Sequence, residues 1–209
     1  MDVELASSNA GKIKELQDML ADLGVVIIPQ QELSIPDIEE TGLCFVENAI
    51  LKARNAALLS GKPAIADDSG LEVDLLDGEP GIYSARFAGE GATDSTNNQK
   101  LLEMLGDSTL EQRSARYQCV IVYMRHAKDP TPIICQGSWE GHIAIEPRGD
   151  GGFGYDPLFE VLEYHRTFGQ LGSMAKGKSA YRDLLPQVEL GNDAYCFQEK
   201  PTENVRPAL

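Results

Sequence analysis

The feature that most constrains this chain is a short apolar run that leads into two adjacent carboxylates, Ala64-Ile65-Ala66-Asp67-Asp68. The run follows Pro63, and its length and composition predict a buried strand that ends at the aspartate pair. Two anions beside an apolar strand repel each other and lose hydration, so a metal cation or a proton is expected between them. At the end of a strand in an α/β fold, the pair would lie where ligands usually bind. The alternative is an Asx turn that simply closes the strand.

The composition excludes several classes of protein. With 18 Lys and Arg against 33 Asp and Glu, the 209-residue chain has a formal net charge of −15, whereas a general nucleic-acid binder needs a basic face. No apolar stretch approaches the ~20 residues of a membrane span, and no signal peptide follows Met1, which predicts a cytoplasmic protein without a membrane partner. The four cysteines form no CxxC pair and the three histidines lack zinc-ligand spacing. Free thiols and an oxygen-bound metal are therefore expected.

Apolar residues at helical spacing predict three helices. The first lies between residues 13 and 23 and stops at Gly24. The second runs from about residue 45 to residue 59, with Thr41 as its cap. The third covers about residues 95–105 and is capped by Thr93 or Asp94. Short apolar strands alternate with these helices, which predicts an α/β fold.

The middle of the chain consists of longer strands. Tyr117–Met124 and residues 132–136 predict two neighbouring antiparallel strands, and Trp139–Ile145 predicts a third. Together with the earlier strands, they predict a mixed sheet with a second lobe. Residues 1–190 are expected to form one domain, and residues 191–209 a loose polar tail.

A polar turn joins the first strand to the first helix. The segment Ser7-Ser8-Asn9-Ala10-Gly11-Lys12 places two hydroxyls, an amide and an ammonium beside the free N–H groups of a helix N-terminus. These groups predict a phosphate cradle, although the segment is neither a Walker loop nor a GxGxxG motif. The alternative is N-capping by Ser8 or Asn9 without a ligand.

Acidic residues precede the second helix. Glu40 is placed to reach Asp68 and complete a magnesium site, because Mg²⁺ takes a few carboxylates together with water and substrate phosphates. Lys52 lies on the helix and would meet a triphosphate. The alternative is that Glu39 and Glu40 only favour the helix dipole, while Lys52 is solvated.

A glycine-rich segment follows the long strands, Gly149-Asp150-Gly151-Gly152-Phe153-Gly154-Tyr155-Asp156-Pro157. Gly154 allows a close approach of the backbone, and Phe153 offers a face on which a planar base can stack. Asp156 can accept hydrogen bonds from ring N–H groups. The alternative is a glycine loop that Phe153 and Tyr155 anchor in the core.

Six segments occur in an order that closely resembles one known family, the inosine triphosphate pyrophosphatases, which remove non-standard purine nucleotides. The resemblance extends from about Val3 to Phe159. The segments are Ser7-x-Asn9-x-x-Lys12, Glu40-Thr41-Gly42, Glu47-Asn48-Ala49 with Lys52, Asp67-Asp68-Ser69-Gly70, Pro80-Gly81-x-x-Ser84-Ala85-Arg86 and Gly152-Phe153-Gly154-Tyr155-Asp156-Pro157.

The resemblance implies an elongated α/β fold with a mixed sheet, two lobes, an active-site cleft between them and a homodimer. It implies magnesium-dependent hydrolysis of ITP, dITP and XTP to the monophosphate and pyrophosphate. Glu40 and Asp68 would hold the metal, and Asp68 would also be the catalytic base. The residues implied in substrate binding up to position 156 are Ser7, Ser8, Asn9, Ala10, Gly11, Lys12, Lys52, Ser69, Phe153, Gly154, Tyr155 and Asp156.

The C-terminal part departs from the family pattern. Family members carry a Lys followed shortly by Ser-His-Arg, which recognises the 6-oxo group of the purine. Lys176 and Arg182 match this pattern and are implied in substrate binding, but Ala180 and Tyr181 replace the Ser and the His. Tyr181 can still donate one hydrogen bond to the base.

Two other functions stay open at this point. Because of the altered pattern, the chain can be a nucleotide-binding protein with weak turnover or relaxed base selectivity. It can also be a pyrophosphatase of a related fold that prefers modified pyrimidines.

Overall fold

The computed structural model describes residues 1–20 and 24–171 of the chain. Within these ranges the mixed α/β fold expected from the sequence is confirmed, with seven strands in one sheet. No helix in these ranges is long and apolar enough to cross a membrane. The strands are β1 Asp2–Leu5, β2 Val26–Pro29, β3 Ala64–Val73, β4 Ser114–Met124, β5 Ile133–Ile143, β6 Phe159–Val161 and β7 Arg166–Thr167. The helices are α1 Ala10–Leu20, α2 Phe45–Ser60, α3 Asp94–Leu105 and α4 Phe168–Leu171, with a 3-10 helix over Gly81–Arg86.

The sheet has the strand order β2-β1-β3-β4-β5-β6-β7. β1 pairs in parallel with β2 and with β3, whereas every later pair is antiparallel. β3 is therefore the strand at which the parallel and the antiparallel halves of the sheet meet. It is hydrogen-bonded to β4 along its whole length, from Ala64 opposite Met124 to Val73 opposite Ala115.

Helices α1 and α2 cover opposite faces of the sheet. Leu16 and Leu20 of α1 pack in one cluster with Ile65 of β3. The buried alanines of α2 pack in another cluster with Ala64 and Ala66. Because successive side chains of a strand point to opposite faces, Ile65 and Asp67 of β3 lie on the α1 side of the sheet, whereas Ala64, Ala66 and Asp68 lie on the α2 side.

The structure corrects the predicted end of the aspartate strand. Asp67 and Asp68 lie inside β3, not at its end, and the segment is not an Asx turn. The reason is the pairing with β4, which continues past both aspartates through Ser69 and Gly70. Asp67 and Asp68 are both buried, so the middle of a central strand carries two acidic side chains.

Two other expectations on element bounds are also corrected. Cys44, not Thr41, stands at the N-cap of α2, whereas Thr93 caps α3 as predicted. Trp139 does not begin a third strand of the middle region, because β5 pairs with β4 without interruption from Ile133 to His142. The expectations for the polar tail concern residues outside the described ranges.

Candidate active site

Asp67 and Asp68 point to opposite faces of the sheet, and each has its own lysine. On the α1 face, Lys12 Nζ lies 2.5 Å from Asp67 Oδ2, and Ser69 Oγ donates to the same oxygen at 3.2 Å. On the α2 face, Lys52 Nζ lies 2.9 Å from Asp68 Oδ1. The expectation that one cation or one proton lies between the two aspartates is therefore wrong. Successive side chains of a strand point to opposite faces, so the two carboxylates are separated although the aspartates are neighbours in the sequence.

Lys52 joins Asp68 to a second acidic residue from a distant segment. Its ammonium lies 3.1 Å from Glu40 Oε1 as well as 2.9 Å from Asp68 Oδ1. Arg86, at the end of the 3-10 helix, donates to Glu40 Oε2 at 3.0 Å. Glu40 and Asp68 thus contact the same ammonium group.

The loop that carries Glu40 is fixed by the first turn of α2. Asn48 is fully buried; its Oδ1 accepts the Gly42 N–H at 2.8 Å, and its Nδ2 lies 3.4 Å from Asp68 Oδ2. Glu47 Oε2 accepts the Leu43 N–H at 2.6 Å. A Cβ atom at Gly42 would lie 2.6 Å from Asn48 Oδ1, so this approach requires glycine. Asn48 therefore contacts both the Glu40 loop and Asp68.

Burial and the neighbouring cations shift the pKa values of these carboxyls in different directions. Burial raises the pKa of Asp68 above its ordinary value, and Lys52 opposes this only in part. Burial also acts on Glu40, but Lys52 and Arg86 outweigh it and lower the pKa. For Asp67 burial is likewise outweighed, mainly by Lys12, so its pKa is lowered. The paired cations thus favour the charged forms of Glu40 and Asp67, whereas burial dominates at Asp68.

The segment before α1 caps the helix as one of the two interpretations of its sequence expects, and its role as a phosphate cradle stays a prediction. Asn9 Oδ1 accepts the N–H groups of Gly11 at 2.9 Å and Lys12 at 3.2 Å. Ser7 Oγ accepts the Asn9 N–H at 3.2 Å, while Ser8 is exposed. Asn9 therefore caps the helix, and the cap directs Lys12 toward Asp67.

The glycine-rich segment forms a second group of contacts. Asp156 is fully buried; its Oδ2 accepts the Phe153 N–H at 2.8 Å, and its Oδ1 accepts the Tyr117 hydroxyl at 3.1 Å. Tyr155 is also buried and donates to the Ser84 carbonyl at 2.8 Å. Phe153, by contrast, is 43% exposed. Tyr155 and Asp156 anchor this loop, and Phe153 presents its ring at the surface.

The 3-10 helix connects the two groups of contacts. Ser84 Oγ accepts the Leu71 N–H of β3 at 2.9 Å, and its carbonyl accepts the Tyr155 hydroxyl. Arg86, two residues on, pairs with Glu40. The 3-10 helix therefore contacts β3, the Glu40 loop and the glycine-rich loop at once.

Comparison with known proteins identifies the family. A model of the Ham1 family matches residues 3–183. The chain belongs to the Ham1 family. It is 55% identical over 190 residues to the dITP/XTP pyrophosphatase of Thioalkalivibrio sulfidiphilus (strain HL-EbGR7), covering 91% of this chain and 97% of that protein. It is 55% identical over 180 residues to the dITP/XTP pyrophosphatase of Escherichia coli (strain K12), covering 86% and 91%.

Solved Ham1 structures have the same fold. A HAM1 protein from Coxiella burnetii superposes with a TM-score of 0.82 at 50% identity, over 88% of this chain and 93% of that one. The Staphylococcus aureus Ham1 protein superposes with a TM-score of 0.78 at 43% identity, with coverage of 88% and 93%. The family resemblance identified from the six segments is confirmed, and so is the fold class.

The structure brings together only part of the residue set implied by the family resemblance. Lys12, Asp67 and Ser69 meet on one face of the Ham1 sheet, and Glu40, Lys52 and Asp68 meet on the other. Phe153, Gly154, Tyr155 and Asp156 form the separate loop. Three implied residues lie outside the described ranges, namely Lys176, Tyr181 and Arg182.

Several residues that contact the Ham1 site had no predicted role. The segments that carry the family resemblance contain Asn48, Ser84 and Arg86, so the sequence did indicate that these residues lie near the site. It did not show which groups their side chains contact. Tyr117 of β4 and Asp94 and Asn98 of α3 lie outside the motifs, and Asp94 was considered only as a helix cap. Their contacts come from the tertiary fold alone.

Proposed function

We propose that this Ham1 protein hydrolyses the non-standard purine nucleotides ITP, dITP and XTP to the monophosphate and pyrophosphate, in a reaction that depends on Mg²⁺. The observation that carries the proposal is the convergence of Glu40 and Asp68 on one ammonium group, at 3.1 and 2.9 Å. Two relatives at 55% identity bear the name dITP/XTP pyrophosphatase, which supports the substrate class.

The carboxylate pair fits a magnesium ion. Glu40 and Asp68 already share one cationic partner, Lys52. The described ranges hold no group of three His, Cys, Asp or Glu side chains that could bind a metal ion without substrate. Mg²⁺ typically uses one or two protein carboxylates and completes its shell with water and substrate phosphates. When bound, it would neutralise phosphate charge and polarise the phosphoryl oxygens.

The protein side chains supply base catalysis and cationic contacts. Asp68 would orient and deprotonate the water that attacks the α-phosphorus, and pyrophosphate would leave. Lys12 and Lys52 are the cations that would contact the triphosphate, because they flank β3 at Asp67 and Asp68, beyond Ile65, where its pairing with β1 ends. Ser7 to Lys12 and Ser69 would surround the phosphates on the α1 face. A chain with a net charge of −15 needs such local cations to attract a polyanion.

The glycine-rich loop would hold the base. The Phe153 ring is exposed and would stack on the purine. Asp156 stays the predicted partner of the purine edge. Its two oxygens accept hydrogen bonds from the Phe153 N–H and the Tyr117 hydroxyl.

A homodimer and a cytoplasmic location complete the proposal. The dimer is implied by the family resemblance. The cytoplasmic location is the expectation from the sequence, in which the four cysteines form no CxxC pair. The acidic composition supports the expectation that nucleic acid is not a partner.

The function is tested by measuring pyrophosphate release from ITP, XTP, dITP, GTP and ATP at equal concentrations with Mg²⁺. We expect fast release from the first three only, and no release after chelation of the metal. Equal release from all five would keep the chemistry but contradict the base selectivity. Binding of ITP without release of pyrophosphate would favour the nucleotide-binding alternative. Preferential release from a modified pyrimidine triphosphate would favour the alternative of a pyrophosphatase that acts on modified pyrimidines.

Replacement of Lys52 by methionine is expected to tighten divalent-metal binding in the absence of nucleotide. The ammonium occupies the two carboxylates that the metal would use, so its removal leaves Glu40 Oε1 and Asp68 Oδ1 without this cation, while Arg86 still pairs with Glu40 Oε2. We expect the Kd for Mn²⁺, measured by calorimetry, to fall about tenfold, which corresponds to ~1.4 kcal/mol.

Lys62→Met is the matched control for this measurement. It removes the same charge from an ion pair with Asp2, at 3.6 Å, in a different part of the fold. Its affinity for Mn²⁺ should equal that of the wild type. Unchanged Mn²⁺ affinity in Lys52→Met would contradict the placement of the metal between Glu40 and Asp68.

A further inference from the structure

The backbone of Gly154 is held on both sides by helix α3. Asp94 Oδ2 accepts the Gly154 N–H at 2.7 Å, and Asn98 Nδ2 donates to the Gly154 carbonyl at 2.8 Å. Residues four apart on a helix lie on the same face, so one face of α3 binds both the N–H and the carbonyl group of Gly154. We propose that Asp94 and Asn98 are positioning residues that fix the orientation of the Phe153 ring for purine stacking. This inference rests on the proposed function.

The two peptide groups that flank the Cα of Phe153 are both fixed. The Phe153 N–H donates to Asp156 Oδ2 at 2.8 Å, and the next N–H, that of Gly154, donates to Asp94. Because peptide groups are planar, fixing both planes leaves little freedom in φ and ψ of Phe153. The backbone conformation in turn limits the rotamers that its ring can adopt. The backbone therefore fixes the direction in which the Phe153 side chain leaves the loop.

Gly154 allows this grip through its backbone conformation. Its φ of +60° lies in the left-handed region, and a Cβ atom there would meet nothing within 4 Å. The requirement for glycine is thus conformational and not a matter of space. The left-handed residue turns its N–H and its carbonyl toward α3, where Asp94 and Asn98 bind them.

Helix α3 is itself tied to the rest of the site. Asn97 Oδ1 accepts the Ala88 N–H at 2.7 Å, and its Nδ2 donates to the Ser84 and Ala85 carbonyls at 3.3 and 3.1 Å. These carbonyls belong to the 3-10 helix whose Arg86 pairs with Glu40. The position of the Phe153 ring is therefore linked, through α3, to the carboxylate pair.

Stacking on the base is a contact that substrate and transition state make equally. Loss of a preorganised ring should therefore raise KM and leave kcat nearly unchanged. We expect Asp94→Ala and Asn98→Ala each to raise KM for ITP about tenfold, with kcat within about twofold of wild type. Asp94→Asn keeps an acceptor for the Gly154 N–H, so it should recover most of the loss.

A double-mutant cycle with Phe153→Ala separates positioning from a general structural role. Once the ring is absent, Asp94→Ala should change KM no further, because its effect acts through that ring. Gln99→Ala is the control on α3, since its side chain pairs only with exposed Glu103 in the described contacts, at 2.8 Å. Its KM should equal that of the wild type.

Binding measurements distinguish failure of this inference from failure of the proposed function. The Kd of inorganic tripolyphosphate, which has no base, should be the same in wild type, Asp94→Ala and Asn98→Ala. If the wild type releases no pyrophosphate from ITP, the proposed function fails, and the same series measured as ITP Kd still tests the positioning role. An unchanged KM or Kd for ITP in both alanine variants, or an equal loss in the Phe153→Ala background, would overturn the inference.

Discussion

Asp68→Asn is expected to lower kcat for ITP by about 10²- to 10⁴-fold, because an amide cannot accept the proton of the attacking water. The substitution keeps the shape of the side chain but removes the charge that pairs with Lys52 at 2.9 Å. It also presents an NH₂ group to Asn48 or to Lys52, both of which donate to the wild-type carboxylate. Both effects act on the same reaction centre, so this is the largest loss of turnover that we expect.

Asp67→Asn is the matched control, since it lies next in sequence on the opposite face of β3. It removes the partner of Lys12 and should therefore alter KM through the triphosphate contact, with a fall in kcat below about tenfold. Steady-state kinetics on both variants, after their secondary structure has been checked by circular dichroism, makes the comparison. Near-normal turnover in Asp68→Asn would show that another group is the base.

Gly70→Ala is expected to destabilise the protein by about 3 kcal/mol, the upper part of the range for overpacked sites. An added Cβ would lie 2.4 Å from the Gly81 carbonyl oxygen, 2.7 Å from Ser84 Oγ and 2.8 Å from a ring carbon of Phe45. Two of these neighbours belong to the 3-10 helix, which would have to move off β3. We expect the move to break the hydrogen bond from the Leu71 N–H to Ser84 Oγ.

Urea unfolding at equilibrium measures this loss of stability. Gly61→Ala serves as the control, because a Cβ there meets nothing within 4 Å and only the positive φ of 67° opposes it. We expect Gly61→Ala to cost about 1 kcal/mol. A Gly70→Ala protein as stable as Gly61→Ala would mean that the 3-10 helix adjusts freely. Turnover should also fall in Gly70→Ala, because Arg86 would shift with that helix away from Glu40.

The elements with strong local signals were predictable from the sequence. Helical periodicity and one of the two candidate caps, Thr93, predicted helices α2 and α3 nearly to their ends. The full extent of β3 was not predictable, because Asp67 and Asp68 break the apolar pattern and only the pairing with β4 carries the strand past them. The pairing of β3 with β4 is a tertiary contact that the local sequence does not encode.

The candidate site shows the same limit. Glu40, Lys52 and Asp68 were expected close together because motifs carried them, and the Lys52 ammonium group contacts both carboxylates, while their roles stay predictions. The separate pairing of Asp67 with Lys12 was not foreseen, since it follows from strand alternation inside the sheet. Asn98 had no local signal, because a single polar residue on a helix forms no pattern.

The alternation along β3 also makes assembly of the sheet a condition for activity. A slip of one residue in the pairing of β3 would exchange the two aspartates between the faces. Charge would not prevent this error, because each face supplies a lysine. Side-chain size would prevent the slip. The slip would place Ile65 against the alanines of α2, where Ala64 and Ala66 now pack. The small residues of this region therefore determine the register of β3 by steric fit. Charge pairing alone would stabilise the correct and the shifted register equally.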